Sequence, residues 1–145
     1  MERIALFPGS FNPFTIGHAN IVSRALNLFD KVIIGIGVNS EKSQEDIANN
    51  LEKIKSAYKN EPRVKVITYT TLTADVVKEE NATCIIRGIR NDVDLKYENE
   101  IAQVNYTLFK VETIFLLASP ELKEISSSIV RELQKFGKNI TDLLP

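Results

Sequence analysis

The sequence predicts an α/β chain: one five-stranded parallel sheet with helices on both faces. Three observations carry this expectation. Short runs of Val, Ile and Leu alternate with longer amphipathic segments along all 145 residues. The short runs show little polar alternation, as befits strands covered on both sides. Strand–helix alternation is the pattern a parallel sheet demands, because its neighbouring strands need crossover connections.

The elements follow in order. Arg3 to Phe7 reads as the first strand and Lys31 to Val38 as the second. Val64 to Tyr69, Thr83 to Arg87 and Glu112 to Leu117 supply three more. Between the first two, His18 to Phe29 sets Ile21, Val22, Ala25, Leu26 and Phe29 on one helical face. Ile47, Leu51, Ile54 and Tyr58 recur at helical spacing in the next segment. Ala74 to Glu80 makes a shorter helix with Thr73 as its predicted N-cap. Asp94 to Leu108 carries Tyr97, Ile101, Val104 and Leu108 as its apolar positions. Ile125 to Phe136 has a serine run to cap its start, and Ile140 to Leu144 closes the chain. No repeat, low-complexity tract or linker interrupts the pattern. Residues 1–145 therefore read as a single Rossmann-like domain with right-handed crossovers.

Composition narrows the function. The chain is 43% hydrophobic and 26% charged, ordinary for a globular domain. No apolar run reaches the roughly 18 residues of a membrane span. The first apolar stretch stops at Pro8, too short for a signal-peptide core, so export is not expected. A single cysteine, Cys84, forbids an internal disulfide and suits a reducing cytoplasm. One His and one Cys supply no structural zinc set, and no protein metal site is expected. The formal net charge of −1 gives no reason to expect a nucleic-acid partner. A small phosphorylated ligand needs only a few local cations.

In such folds ligands sit beyond the carboxyl ends of the strands, where the strand order reverses. After the first strand comes Pro8-Gly9-Ser10-Phe11-Asn12-Pro13-Phe14-Thr15-Ile16-Gly17-His18. Hydroxyls, backbone amides and a helix start there favour a phosphate, with the only imidazole of the chain beside them. It is neither a Walker A loop nor a GxGxxG fingerprint. Lys42 follows the second strand; by position alone it reads as a solvated loop lysine. Arg87-Gly88-Ile89-Arg90 follows the fourth, where two guanidinium forks suit phosphate oxygens and the glycine permits a close backbone approach. After the fifth come Leu122-Lys123-Glu124-Ile125-Ser126-Ser127-Ser128, offering hydroxyls and amides at a helix start. Four polar strand ends converge.

Gly9-Ser10-Phe11-Asn12-Pro13-Phe14-Thr15-Ile16-Gly17-His18 resembles the (H/T)xGH signature of the nucleotidyltransferases. From first strand to last helix the chain resembles the bacterial phosphopantetheine adenylyltransferase family. The Arg87–Arg90 block, the segment from Asp94 through Asn105, and Ile125-Ser126-Ser127-Ser128-Ile129-Val130-Arg131-Glu132 support it. The first signature is shared with cytidylyltransferases and nicotinamide mononucleotide adenylyltransferases, which are the alternative reading. The resemblance implies transfer of AMP from ATP to 4′-phosphopantetheine, giving dephospho-coenzyme A and pyrophosphate with Mg²⁺ present. It implies in-line attack with no covalent enzyme intermediate, His18, Lys42 and Arg90 being catalytic. Ser10, Phe11, His18, Gly88, Ile89, Arg90, Glu98 and Leu122 to Ser128 would line the ATP side. Ser10, Lys42, Thr73 and Arg87 would hold the acceptor. A homohexamer, and coenzyme A as inhibitor, are further expectations of the resemblance. The chain departs from the family pattern at Asn12, usually aspartate, at Ser43 to Ala48 after Lys42, and at Leu122-Lys123-Glu124.

Overall fold

The computed structural model describes residues 1–145. Its strands are β1 (Ile4–Gly9), β2 (Lys31–Gly37), β3 (Val64–Tyr69), β4 (Cys84–Ile89) and β5 (Thr113–Leu117). They alternate with α1 (Ile16–Ala25), α2 (Gln44–Ala57), α3 (Thr73–Glu79), α4 (Asp92–Phe109) and α5 (Ser127–Lys135). A single 3₁₀ turn, Thr141–Leu143, follows.

All neighbouring strands are parallel, in the order β3-β2-β1-β4-β5. The predicted sheet and its helical layers are both present. On one face Ile21, Val22 and Ala25 of α1 and Ile54 of α2 pack against Ala5, Phe7, Ile34 and Ile86. On the other, Ala74, Val76 and Val77 of α3 cover Leu6, Ile33 and Ile85. Cys84 lies in the first of these clusters as a small buried hydrophobe. Burial, with a smaller contribution from Glu112, pushes its thiol up to about 11.

The order reverses between β1 and β4. The β1–β2 and β2–β3 ladders each run through six residue pairs, and β4–β5 through five. The β1–β4 ladder has two, Ala5 with Cys84 and Leu6 with Ile85. Beyond them the strands diverge, so Phe7–Gly9 and Ile86–Ile89 open a crevice at the topological switch point.

Three local expectations are corrected. Helix α3 is capped by the backbone at Leu72 without a side-chain hydrogen bond, so Thr73 is not its N-cap. The Thr73 hydroxyl instead pairs with that of Tyr69, 2.9 Å away. The apolar positions of α4 do not face the sheet: Tyr97 is 63% exposed, Ile101 41%, Val104 51% and Leu108 67%. Only Glu98 of that helix is buried. Finally β4 runs on through Arg87 and Gly88, so these residues lie within the strand and not after it.

Candidate active site

Thr15 begins the site by capping α1. Its hydroxyl accepts from the His18 backbone N–H, while its own N–H donates to the His18 ring at Nδ1, 2.9 Å away. This is a capping box in which histidine replaces the usual Glu or Gln at the third helical position. A backbone N–H can only donate, so Nδ1 is the acceptor and the neutral ring carries its proton on Nε2. Phe11 and Phe14 stand 5.0 and 5.3 Å from the ring, centroid to centroid. Burial, then the charges of Arg87 and Arg90, lower the His18 pKa to about 4. His18 therefore presents a neutral N–H donor at ordinary pH.

The imidazole borders a cleft of about 320 Å³ above the diverging strands. Ser10, Phe11 and His18 line it from the β1 side, and Arg87, Gly88, Arg90 and Glu98 from β4 and α4. Leu122, Ile125, Ser126, Ser127 and Ser128 close it from the β5 side. The predicted convergence of strand ends one, four and five is thus present in space. Lys42 is not part of this lining; it is partly buried at the end of the β2 loop. Lys123 and Glu124 point into solvent, and the Ile89 side chain is buried in the core.

The serine run divides its work. Ser126 caps α5, its hydroxyl accepting from Ile129 N–H at 3.1 Å. Ser127 spends its proton on the Pro13 carbonyl at 2.7 Å, so its hydroxyl can only accept from a ligand. Ser128 accepts from Arg131, whose guanidinium also donates to the Asn12 carbonyl at 2.6 Å. The N–H groups of Ser127 and Ser128, which the Ser126 cap leaves without a partner in the first turn, remain for an anion. The divergent segment after Lys42 is likewise a helix start. Ser43 caps α2 by accepting from Asp46 N–H, with Glu45 and Asp46 in the favourable first turn.

Arg87 and Arg90 are differently placed. Arg90 is exposed at the rim and paired with Asp94, Nε to Oδ2 2.9 Å. Arg87 is gripped by Glu98, with Nε to Oε1 at 2.8 Å and Nη2 to Oε2 at 2.7 Å. Its Nη1 donates to the Pro8 carbonyl, bridging the gap that the short β1–β4 ladder leaves. Gly88 is needed for packing as much as for ligand access. A Cβ there would meet Ile21 of α1 at 3.1 Å.

A second cleft of about 200 Å³ lies beside the first, sharing Gly9, Arg87 and Glu98 with it. Thr73, Tyr69, Asn105 and Thr113 give it polar groups, and Pro8, Ile85 and Ile101 apolar walls. The Thr113 hydroxyl is buried without a partner. Sequence reasoning missed several residues of the main cleft. Asn20 and Ser119 line it and bond to each other at 3.0 Å. Asn20 lies two residues beyond His18, on a helix read only for its apolar face. Asp94 was legible as the i+4 partner of Arg90.

A model of the cytidylyltransferase-like family matches residues 6–133. Phosphopantetheine adenylyltransferase of Phocaeicola vulgatus is 48% identical over 99% of this chain and 95% of its own. That of Cytophaga hutchinsonii is 46% identical over 100% of this chain and 98% of its own. A solved structure from Vibrio parahaemolyticus, provisionally assigned as a nicotinate-nucleotide adenylyltransferase, superposes with a TM-score of 0.64 at 19% identity. It covers 99% of this chain and 94% of its own, and it supports the Rossmann-like fold alone. The conclusion from site and relatives together is that the chain belongs to the cytidylyltransferase-like family, among the phosphopantetheine adenylyltransferases.

Proposed function

We propose that the chain transfers AMP from ATP to 4′-phosphopantetheine, releasing pyrophosphate and forming dephospho-coenzyme A. One observation carries the reading most directly: a neutral His18, its Nε2–H available, shares one cleft with Arg87, Arg90 and the α5 N-terminus. Such a cleft offers several donors to a polyphosphate. An oxygen of the acceptor phosphate attacks the α-phosphorus of ATP. As that bond forms, the bond to the α–β bridging oxygen breaks and pyrophosphate leaves. Catalysis then consists of positioning and of donors that meet the charge developing in the transition state.

His18 is assigned to the α-phosphate, Arg90 with the Ser126 and Ser128 groups to the outer phosphates, and Arg87 to the acceptor phosphate. Ser10, Phe11, Gly88, Ile89, Glu98 and Leu122 to Ile125 complete the nucleotide side. Lys42 joins the acceptor phosphate by a swing of its flexible stem from the β2 loop. The second cleft suits the arm of the acceptor, since amide groups match Asn105, Thr73 and the unpartnered Thr113 hydroxyl among apolar walls. Mg²⁺ is read as the counter-ion of ATP. No three His, Cys, Asp or Glu side chains gather around a metal. The ion would keep phosphate and water ligands, as it commonly does. A homohexamer is supported by the exposed apolar stripe of α4, and coenzyme A, sharing both halves of the product, fits the same clefts as an inhibitor. No helix is long and apolar enough to cross a membrane, and we assign the activity to the cytoplasm.

Incubation with ATP or CTP and each phosphorylated acceptor, reading pyrophosphate, tests the assignment. Release with ATP and 4′-phosphopantetheine is expected. Release only with CTP, or only with nicotinamide mononucleotide, would overturn it.

A further inference from the structure

Glu98 is the one buried residue of an 18-residue helix that otherwise shows large apolar side chains to solvent. Burying a carboxylate is costly unless it is paired and hydrogen-bonded. Here the pairing is complete. Both carboxylate oxygens face the Arg87 guanidinium, Oε1 at 2.8 Å from Nε, and Oε2 at 2.7 Å from Nη2 and 3.1 Å from Nε. Nη1 is held by Pro8 on the other side of the crevice. Three of the five guanidinium N–H groups are thereby committed, leaving one on each terminal nitrogen. Arg87 and Glu98 are also, with Gly9, the residues that border both clefts.

We infer that Glu98 is a positioning residue: it clamps Arg87 across the diverging strands, so that the two uncommitted N–H groups receive the acceptor phosphate where the clefts meet. The inference rests on the reading of Arg87 as the acceptor-phosphate ligand. It stands beside the place of Glu98 on the nucleotide side, since the residue borders both clefts. Oε1 accepts a single hydrogen bond from Arg87 and keeps a lone pair for a nucleotide hydroxyl, so the two roles are compatible. Clamped by Glu98, the fork is fixed before the ligand arrives, and a bidentate phosphate contact depends on that fixed geometry.

The test is calorimetric titration of 4′-phosphopantetheine, unphosphorylated pantetheine and ATP into wild type and Glu98→Gln, with steady-state kinetics beside it. Glu98→Gln is expected to weaken 4′-phosphopantetheine by about tenfold, the loss of a charge-assisted hydrogen bond. Unphosphorylated pantetheine should bind as before, and KM for the acceptor should rise more than kcat falls. Weakened ATP binding with unchanged acceptor binding would overturn the inference. Glu98→Asp, which keeps the charge, should recover part of the acceptor affinity; no recovery counts against the clamp. An Arg87→Lys background supplies a second measurement. There Glu98→Gln should cost no further acceptor affinity, and a further loss of the same size would overturn the inference. If wild type adenylylates some other phosphorylated acceptor, the proposed function fails. The Glu98 inference is then decided by the same titrations with that acceptor and its dephosphorylated form.

Discussion

At the scale of single residues, His18 is where most of the chemistry is concentrated. Its Nδ1 accepts from the Thr15 N–H and its proton sits on Nε2, so His18→Ala removes a donor and one half of the capping box, while the Thr15 hydroxyl still caps α1 through the N–H of residue 18. ATP should still bind, while turnover falls by about 10² to 10³, the usual cost of one transition-state donor. Single-turnover kinetics beside ATP titration checks this; surviving turnover would mean that the role is misassigned. The same ring sets a pH dependence. In the unfolded chain it protonates near the ordinary imidazole value of 6.5, but in the folded chain only at about 4. Between these values the unfolded state binds the extra proton, so stability falls as pH drops through that window. The full loss is of the order of 3–4 kcal/mol, at about 1.4 kcal/mol per pH unit. As the chain has one histidine, a single imidazole NMR resonance should titrate near 4, and denaturation of His18→Asn should lack this slope. A resonance titrating near 6.5 would remove both expectations. The uniqueness of His18 and its place after the first strand were legible in the sequence. Its neutral tautomer was not, because that depends on Phe11, Phe14 and two arginines distant in sequence folding around it.

At the scale of elements, the strands were legible almost residue by residue, since runs such as Lys31–Gly37 have no polar period that a helix could use. Ends were less legible. β4 continues two residues past Arg87 because its partner β5 supplies ladder positions as far as Leu117, a tertiary effect. Gly88 sits in that continuation with Ile21 of α1 against it, so Gly88→Ala forces a methyl group to within 3.1 Å of a buried side chain. Overpacking of this kind costs about 1–3 kcal/mol. Chemical denaturation should show a loss in that range, with turnover also reduced because α1 carries His18. An unchanged midpoint would mean that Ile21 has room to yield. The serine run was legible as a cap. The expenditure of the Ser127 proton on Pro13 was not, because the carbonyl lies 114 residues away in sequence.

At the scale of the whole molecule, the outward stripe of α4 is what the sequence could not orient. Tyr97, Ile101, Val104 and Leu108 satisfy a helical period equally well facing a sheet or facing another chain. An exposed apolar stripe of this kind marks an interaction surface. Light scattering after gel filtration should give a mass several times 16.3 kDa, and Leu108→Glu should reduce it. A monomeric wild type would remove the support for a hexamer. The divergence of β1 from β4 has a mechanical consequence as well. Only two ladder positions join the β3-β2-β1 half of the sheet to the β4-β5 half, which makes this junction the line along which the domain opens most easily. A molecule lying across it, touching the β1 loop and α5 together, acts as a suture. Substrate binding should therefore raise the melting temperature through mass action. It should slow amide exchange along Phe7–Gly9 and Ile86–Gly88 more than in the outer strands, as though the sheet acquired its missing rungs from the reactants.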